Sequence, residues 1–322
     1  MYLGIDLAKA TFTITALRTP QDVRVYGLTL PNAPGGFAEL LTHITPETVV
    51  VMESTGVYGD KLRHFLHAHG VTQAVEPAIF IRRAFRLKAK TDPVDSRMIA
   101  EYGYRYADQL HFWTPKPELV EQAAAYLVSR ELLVKQKTAH RNIERSLAHK
   151  ARPLTHSHTD IIEVLNAHIE DIETALADIF RPHETLRAHL HNLNTLPGCG
   201  TLFAYNFFVL SDGFERLDFR SLGNYLGIVP HEYSSGERIF RRPKTDHKGP
   251  ERIRKVLYLC AMASIRRTGR LQTYFARKRA EGKEGKLILN NLMNKLLKMA
   301  CAVVRDGQPY ADGHKPVNPN IK

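Results

Sequence analysis

The sequence predicts an α/β domain at its amino-terminal end, then an α-helical coiled-coil spacer, then a mainly α-helical carboxy-terminal domain. Short β-branched and apolar runs alternate with turns over the first 80 residues, which is typical of strands. Long stretches rich in Ala, Leu, Glu and Lys follow residue 116, which favours helices. A length of 322 residues is enough for two domains at about 150 residues each.

The first elements follow from apolar patterning. Residues 2–7, 11–17 and 23–30 are separated by short breaks and predict an antiparallel meander. A turn at 32–36 starts an amphipathic stretch, and the apolar run 48–53 predicts a strand buried on both faces. Further elements are expected as a strand at 72–75 and helices at about 58–69, 78–86 and 92–104. The order βββαβαβα is that of a ribonuclease H-like sheet.

The spacer is predicted as two long helices, at 118–150 and 160–179, broken near Pro153. Two such helices joined by a turn predict a protruding coiled-coil hairpin. A passive spacer and a role in dimerisation or nucleic-acid grip fit this pattern equally well. We place the domain boundaries at 1–115 for the sheet, 116–193 for the spacer, 194–306 for the carboxy-terminal domain and 307–322 for a flexible tail.

A Pro-Gly-Cys-Gly turn at 197–200 precedes a helical run at 201–210. Backbone N–H groups at Gly198 and Gly200 could hold a phosphate, as in helix-hairpin-helix modules. An ordinary glycine turn would leave almost the same pattern. Further helices are predicted at 252–267, 271–281 and 286–305.

The charge is unevenly distributed. The chain carries a net charge of +12, and residues 231–322 alone hold 21 Lys and Arg against 8 Asp and Glu. This asymmetry predicts a polyanionic partner, most simply nucleic acid. No signal-peptide pattern and no apolar run of 18 residues is present, so no membrane segment is expected. Three cysteines without metal-ligand spacing favour the cytoplasm.

Four carboxylates stand at the ends of predicted elements. Asp6 lies in the first strand, Glu53 closes the apolar run, and Asp92 and Asp95 lie at i and i+3 near a helix start. In a ribonuclease H-like sheet the first and fourth strands are neighbours, so these groups should converge. Hard oxygen ligands favour Mg²⁺, with one or two ions that stabilise the attacking and leaving oxygens of a phosphodiester exchange.

Two basic stretches are candidates for backbone contacts to nucleic acid. The smaller one lies beside the predicted metal site and comprises Arg82, Arg83, Arg86, Lys88 and Lys90. The larger one interleaves cations with aromatic residues and comprises Arg238, Arg241, Arg242, Lys244, Lys248, Arg252, Arg254 and Lys255.

Several motifs together resemble one family. They are GIDLAK at 4–9, ESTGVY at 53–58, KTDPVDSR at 90–97, LPGCG at 196–200, YLGIVP at 225–230 and YSSG at 233–236. The chain is similar, in this order and over nearly its whole length, to the DEDD transposases of bacterial insertion sequences, described as bridge-RNA-guided recombinases with a RuvC-like domain.

That resemblance implies specific roles. The motif acids fall on Asp6, Glu53, Asp92 and Asp95, and the nucleophile of the Tyr-x-Ser-Gly segment falls on Ser235. Relatives of this kind form a covalent phosphoserine intermediate beside a Mg²⁺-binding acidic cluster. A noncoding guide RNA pairs with donor and target DNA, and the protein acts as a homo-oligomer, as a dimer that assembles to a tetramer.

Two other functions fit the residues. A Holliday-junction resolvase-like nuclease would use the acids with a metal-activated water and would leave Ser235 as a turn residue. A packaging protein for RNA or DNA with a degenerate nuclease fold would need no metal.

Overall fold

The computed structural model describes residues 1–54, 56–85, 91–149, 157–235, 239–245 and 249–312, with the hairpin at 231–244 described by its backbone alone. These residues form two compact units, 1–115 and 116–322. The boundary between the units falls immediately before a long helix.

A five-stranded sheet forms the first unit. Its strands are β1 (Tyr2–Leu7), β2 (Thr11–Thr19), β3 (Asp22–Pro31), β4 (Val49–Glu53) and β5 (Thr72–Glu76). Their spatial order is β3-β2-β1-β4-β5. The first three strands pair antiparallel, whereas β1, β4 and β5 run parallel. The predicted meander and buried strand are therefore confirmed as a mixed α/β sheet.

Helices cover both faces of the sheet. They are α1 (Pro34–Leu41), α2 (Asp60–Ala68), α3 (Ala78–Ala84) and α4 (Asp92–Arg105), with short 3-10 turns at Gly56–Gly59 and Ala107–Gln109. Leu3 and Ile5 of β1 pack in a core with residues of α1 and α2. On the opposite face, Val51 packs with Ile99 of α4. Along β4, Val50 and Met52 belong to the first core and Val51 to the second, so alternate residues face different layers, as a pleated strand requires.

A glycine allows α4 to lie directly on the sheet. A Cβ atom placed on Gly4 would lie 2.3 Å from the backbone nitrogen of Ala100 and 2.3 Å from the carbonyl oxygen of Ser96. No side chain fits in that space, so the close approach of helix and strand depends on glycine.

The second unit is mostly helical. Its helices are α5 (Glu118–His149), α6 (Ser157–Phe180), α7 (Glu184–Asn194), α8 (Thr201–Leu210), α9 (Phe219–Tyr225), α10 (Glu251–Ser264), α11 (Arg270–Ala280) and α12 (Gly285–Asp306). Two strands, β6 (His231–Ser235) and β7 (Ile239–Lys244), pair antiparallel. The long predicted helices are confirmed to within a few residues, whereas α7, α9 and the two strands were not predicted.

The two longest helices form the predicted hairpin. Arg130 of α5 donates a hydrogen bond to Glu173 of α6 at 2.6 Å, and Lys137 donates to Asn166 at 3.0 Å. The base of the hairpin is part of the core of the second unit, where Phe180 is almost fully buried. The division of 116–306 into a spacer and a separate domain stays a prediction.

Helix α12 lies at the centre of the second unit. By length and composition it could cross a membrane, with a mean hydropathy of 1.3 over its most apolar window, but 56% of that window is buried inside the protein. Its apolar face, including Leu292 and Leu296, belongs to the core. A buried core helix accounts for this pattern as well as a membrane span does.

Candidate functional site

Two of the four predicted acids lie side by side. Ile5 of β1 pairs with Met52 of β4 in the parallel ladder, and Asp6 and Glu53 are the next residues on each strand. Neighbouring strands are about 4.8 Å apart, and residues at the same level point to the same face. The side chains of Asp6 and Glu53 are both partly exposed. The prediction that β1 and β4 bring Asp6 and Glu53 together therefore agrees with the register of the sheet.

Asp6 and Glu53 belong to a longer row of polar residues that crosses the whole sheet. Glu53 pairs with Glu76 of β5, Asp6 pairs with Thr13 of β2, and Thr13 pairs in turn with Thr29 of β3. The hydroxyl oxygens of Thr13 and Thr29 are 3.0 Å apart. We call these five residues the polar row. It lies on the face that α4 covers, at the carboxyl ends of the parallel strands.

Glu76 is the member of the row that the sequence prediction missed. Its side chain is fully buried, and it accepts a hydrogen bond from the backbone N–H of His111 at 2.7 Å. The imidazole Nδ1 of His111 lies 3.2 Å from the same oxygen. The sequence did contain a signal for Glu76, because this residue ends a short strand just as Glu53 does.

The other two acids open α4. Asp92 is exposed and Asp95 is partly buried in the first turn, with Pro93 between them. The backbone N–H of Asp95 donates to the carbonyl of Thr91 at 2.8 Å, but the Thr91 side chain makes no capping bond. The expected helix start is therefore confirmed.

The first turns of α4 lie against β3 and β2. A Cβ atom on Gly27 of β3 would lie 2.8 Å from Pro93, and the hydroxyl of Ser96 lies 2.8 Å from that of Thr15 on β2. The helix therefore begins over β3 and β2 and continues over β1, the strand that carries Asp6. Among the described residues, no group of three His, Cys, Asp or Glu side chains could hold a metal ion.

The smaller basic stretch is described only in part. Arg82 and Arg83 are exposed in the last turn of α3. Arg86, Lys88 and Lys90 lie outside the described residues. The exposed pair is available to a phosphate, and the stretch as a whole stays a prediction.

Ser235 is the last residue of β6 and pairs with Ile239 of β7. The turn between them, with Gly236 and Arg238, lies outside the described residues, as does Lys248. On β7, Arg241 pairs with Tyr233, and Lys244 pairs with His231. Arg242 lies between these two positions. The predicted nucleophile therefore stands at the tip of a hairpin whose second strand carries three of the predicted cations.

The cations of α10 differ in how they are used. Arg252 donates a hydrogen bond to Asn206 at 3.1 Å, and burial lowers the pKa of its guanidinium group. Arg254 donates to the carbonyl oxygens of Leu226 and Gly249 at 3.2 and 3.1 Å. Lys255 is exposed. Both arginines therefore hold the second unit together, and Lys255 is the better candidate for a phosphate contact.

The two glycines of the Pro-Gly-Cys-Gly turn also differ. Gly198 has a φ of 77°, and a Cβ there would lie 2.5 Å from backbone atoms of α10. Gly200 caps α8 and faces open space. Gly198 is thus required for packing, and Gly200 is free of that constraint. The predicted phosphate contact stays a prediction for both.

Two family models match this chain. Residues 3–153 match a family model described as transposase, and residues 190–276 match one described as transposase of the IS116/IS110/IS902 family. The chain belongs to the IS110/IS116/IS902 family of transposases. The first match spans the sheet with both acidic pairs, and the second spans the hairpin with Ser235.

Relatives of this transposase match over nearly its whole length. It is 26% identical to the pilin gene-inverting protein of Moraxella lacunata, over 96% of this chain and 97% of that protein. It is also 26% identical to the transposase for insertion sequence element IS1328 of Yersinia enterocolitica, over 96% and 98%. This transposase is therefore similar to proteins that invert a gene and to proteins that move an insertion sequence. A transposase family of this kind acts on DNA.

Proposed function

We propose that this transposase is an RNA-guided DNA recombinase of a bacterial insertion sequence, which cuts and rejoins donor and target DNA through a phosphoserine intermediate at Ser235. The observation that carries the proposal is the placement of Asp6 beside Glu53 at the carboxyl ends of two parallel strands. A ribonuclease H-like, RuvC-like fold of the first unit is part of the proposal, and the strand order β3-β2-β1-β4-β5 supports it.

A divalent metal, most simply Mg²⁺, suits the acidic pair. Asp6 and Glu53 supply hard oxygen donors at neighbouring positions, which is the donor type that Mg²⁺ prefers. Asp92 and Asp95 belong to the proposed ligand set through their place at the start of α4. When bound, the ion would offset the charge of the phosphodiester and stabilise the oxygens that exchange on phosphorus.

Ser235 would supply the nucleophile. Its hydroxyl oxygen forms a bond to phosphorus, the bond from phosphorus to one deoxyribose oxygen breaks, and the serine proton leaves to a base while the departing oxygen gains a proton. Rejoining reverses these steps with a deoxyribose hydroxyl from another strand, which restores the serine. One phosphodiester is exchanged for another, so the reaction needs no external energy source. The cations proposed on β7 would stabilise the pentacovalent phosphate.

The remaining partners follow from the same proposal. A noncoding guide RNA would choose the DNA sites by base pairing, and the basic last third of the chain would hold the nucleic-acid backbone. Exchange between two duplexes needs four strand cuts, so a dimer that assembles to a tetramer is proposed, with the α5–α6 hairpin as its contact. The expected location is the bacterial cytoplasm.

The decisive experiment looks for the covalent intermediate. The protein is incubated with Mg²⁺, its element-derived RNA and end-labelled donor and target DNA, then denatured and examined for label. An adduct in the wild type that is absent in Ser235→Ala supports the proposal, and Ser234→Ala is the matched control that should retain the adduct. Cleavage without an adduct would instead favour the resolvase-like nuclease, in which a metal-activated water attacks phosphorus.

A further inference from the structure

A cavity of about 830 Å³ lies in the second unit. Its lining residues fall between Gly269 and Asp312, a part of the sequence separate from the hairpin that carries Ser235. Helices α11 and α12 form two of its walls, and the segment that follows α12 forms a third. Its charged lining residues are Arg270, Arg277, Lys295, Lys298 and Asp312, so cations outnumber acids four to one. All four cations are exposed. Such a cavity favours an anionic ligand.

An aromatic ring lies among these cations. The ammonium group of Lys295 lies 4.5 Å from the centre of the Tyr274 ring, and the guanidinium group of Arg277 lies 5.7 Å from it. Tyr274 is itself a lining residue of the cavity and is partly exposed. Cations placed around an aromatic face match a ligand that has both negative charge and flat rings.

The same arrangement recurs beside the cavity. Lys298, one turn after Lys295 on α12, lies 5.4 Å from the centre of the Phe219 ring. The guanidinium group of Arg220 lies 5.9 Å from the centre of the same ring. The Asp218 side chain accepts hydrogen bonds from the backbone N–H groups of Arg220 and Ser221, both at 3.2 Å, which fixes the start of α9. Each of the two rings, Tyr274 and Phe219, therefore has two cations within 6 Å of its centre.

The segment after α12 is held by hydrogen bonds and lines one side of the cavity. Asn192 donates a hydrogen bond to the carbonyl of Gly307 at 3.0 Å, and the backbone N–H of Tyr310 donates to the Thr195 hydroxyl at 2.7 Å. The Tyr310 hydroxyl is bonded to Asp312. The cavity thus has a defined wall in residues 308–312, and the predicted flexible tail from 313 onward lies outside the described residues.

We propose that Arg277, Tyr274, Lys295, Lys298, Phe219 and Arg220 form a binding tract for a single nucleic-acid strand. We call this set the basic-aromatic tract. Phosphates and bases alternate along a single strand, so two rings with cations beside each match both parts, whereas paired bases in a duplex are not available for stacking. The inference rests on the proposed action on nucleic acid, but it assigns a site separate from Ser235 and from the acids.

The test measures binding by full-length protein to labelled single-stranded RNA, single-stranded DNA and duplex DNA of about 20 nucleotides. In the double variant Lys295→Glu/Lys298→Glu, we expect single-strand affinity to fall about tenfold or more and the salt dependence to lose a slope of about 1.4, since each phosphate contact contributes about 0.7. Arg181→Glu/Arg187→Glu makes the same change of charge in the same unit, outside the tract. It should alter affinity by less than about threefold.

Stacking is tested separately. Tyr274→Ala should lower single-strand affinity about fivefold or more, and Tyr274→Phe should leave it within about twofold, because the ring is retained. Unchanged binding by Tyr274→Ala would overturn the stacking role. Equal losses in the tract variant and in the control, or equal losses for duplex and single strand, would overturn the tract itself.

The two nucleic acids distinguish the occupant. Tighter binding of RNA supports a guide strand in the tract, and tighter binding of DNA supports a strand unpaired during exchange. Ser235→Ala should bind single strands normally, so failure of the adduct experiment and failure of this one remain distinguishable.

Discussion

Glu53 and Glu76 occupy paired positions on β4 and β5, yet Glu76 is fully buried and bonded to His111 while Glu53 remains partly exposed at the end of the sheet. Two carboxylates at the same level of one sheet thus have different environments. The buried carboxylate of Glu76 makes its hydrogen bonds within the protein, and the accessible carboxylate of Glu53 lies beside Asp6. This difference supports Glu53, and not Glu76, as a group for metal or substrate.

The acidic pair can be tested by removing its charge. Asp6→Asn and Glu53→Gln keep size and shape, so each should fold normally and lose DNA strand cleavage by about 100-fold or more if it binds the metal. Cleavage of end-labelled DNA over a range of Mg²⁺ concentrations measures the effect. Asp22→Asn, on β3 and paired with Arg24, is the matched control and should cleave as the wild type does. Full activity in Asp6→Asn would contradict the metal role.

Glu76 is expected to matter for stability. Glu76→Ala leaves the backbone N–H of His111 without its acceptor and should lower the free energy of unfolding by about 2 kcal/mol, whereas Glu76→Gln retains an acceptor and should cost less. Urea unfolding followed by the fluorescence of Trp113, the single tryptophan of the chain, reports on the first unit. Equal free energies of unfolding for Glu76→Ala and Glu76→Gln would show that the hydrogen bond from His111 contributes nothing to stability.

The close approach of α4 to β1 gives a third prediction. Gly4→Ala places a Cβ 2.3 Å from backbone atoms of α4, so the helix must shift, at a cost of about 1–3 kcal/mol. If Asp92 and Asp95 belong to the proposed ligand set, the shift would move them relative to Asp6 and Glu53 and lower cleavage. Gly35→Ala is the control, because its Cβ meets no atom within 4 Å and α1 should be retained or stabilised. Unaltered Trp113 unfolding in Gly4→Ala would contradict this packing.

The cations of α10 should divide into two classes. Arg252→Met removes a hydrogen bond to Asn206 and should lower thermal stability, with little change in the salt dependence of DNA binding. Lys255→Gln should leave stability unchanged and reduce the salt slope by about 0.9 for duplex DNA. Differential scanning calorimetry and binding at several salt concentrations separate the two. The reverse pattern would assign the phosphate contact to Arg252.

The buried Cys301 thiol predicts a pH dependence. Burial raises the pKa of Cys301 to about 12, so the folded protein keeps this proton in conditions where the unfolded chain, with a thiol pKa near 8.5, releases it. Its contribution to stability is therefore complete below about pH 8.5 and declines as pH rises towards 12. The gap in the free energy of unfolding between wild type and Cys301→Ala should narrow over that range, and native Cys301 should resist alkylation at pH 8. Rapid alkylation would contradict the burial.

Much of the first unit could be predicted because its strands are apolar and its turns short. The pattern at 48–53 identified a buried strand, and its neighbour in the sheet placed Glu53 beside Asp6. The start of α4 was also predicted, but its position was not. Where a helix crosses a sheet depends on which residues allow close contact, here Gly4 and Gly27, and that is not evident from periodicity.

The second unit was predicted less completely. The strands β6 and β7 carry charged residues such as Arg241 and Lys244 where an apolar alternation would normally indicate a strand, so the segment was interpreted as a basic stretch alone. The basic-aromatic tract was missed for another reason. Its members come from α9, α11 and α12, and only the packing of those helices brings Phe219 near Lys298.

Residues 111–113, which follow the 3-10 turn at Ala107–Gln109, affect how copies of this protein can associate. Val75 donates its N–H to His111 at 3.1 Å, Trp113 donates to Gln73 at 2.8 Å, and Ala74 pairs with Phe112. A strand at the border of a sheet presents unpaired backbone groups that can recruit a strand from another copy. Along β5, residues 111–113 already occupy those groups. The outward backbone groups of β5 are thereby occupied within the chain, so a strand from another copy of this protein cannot pair directly with β5.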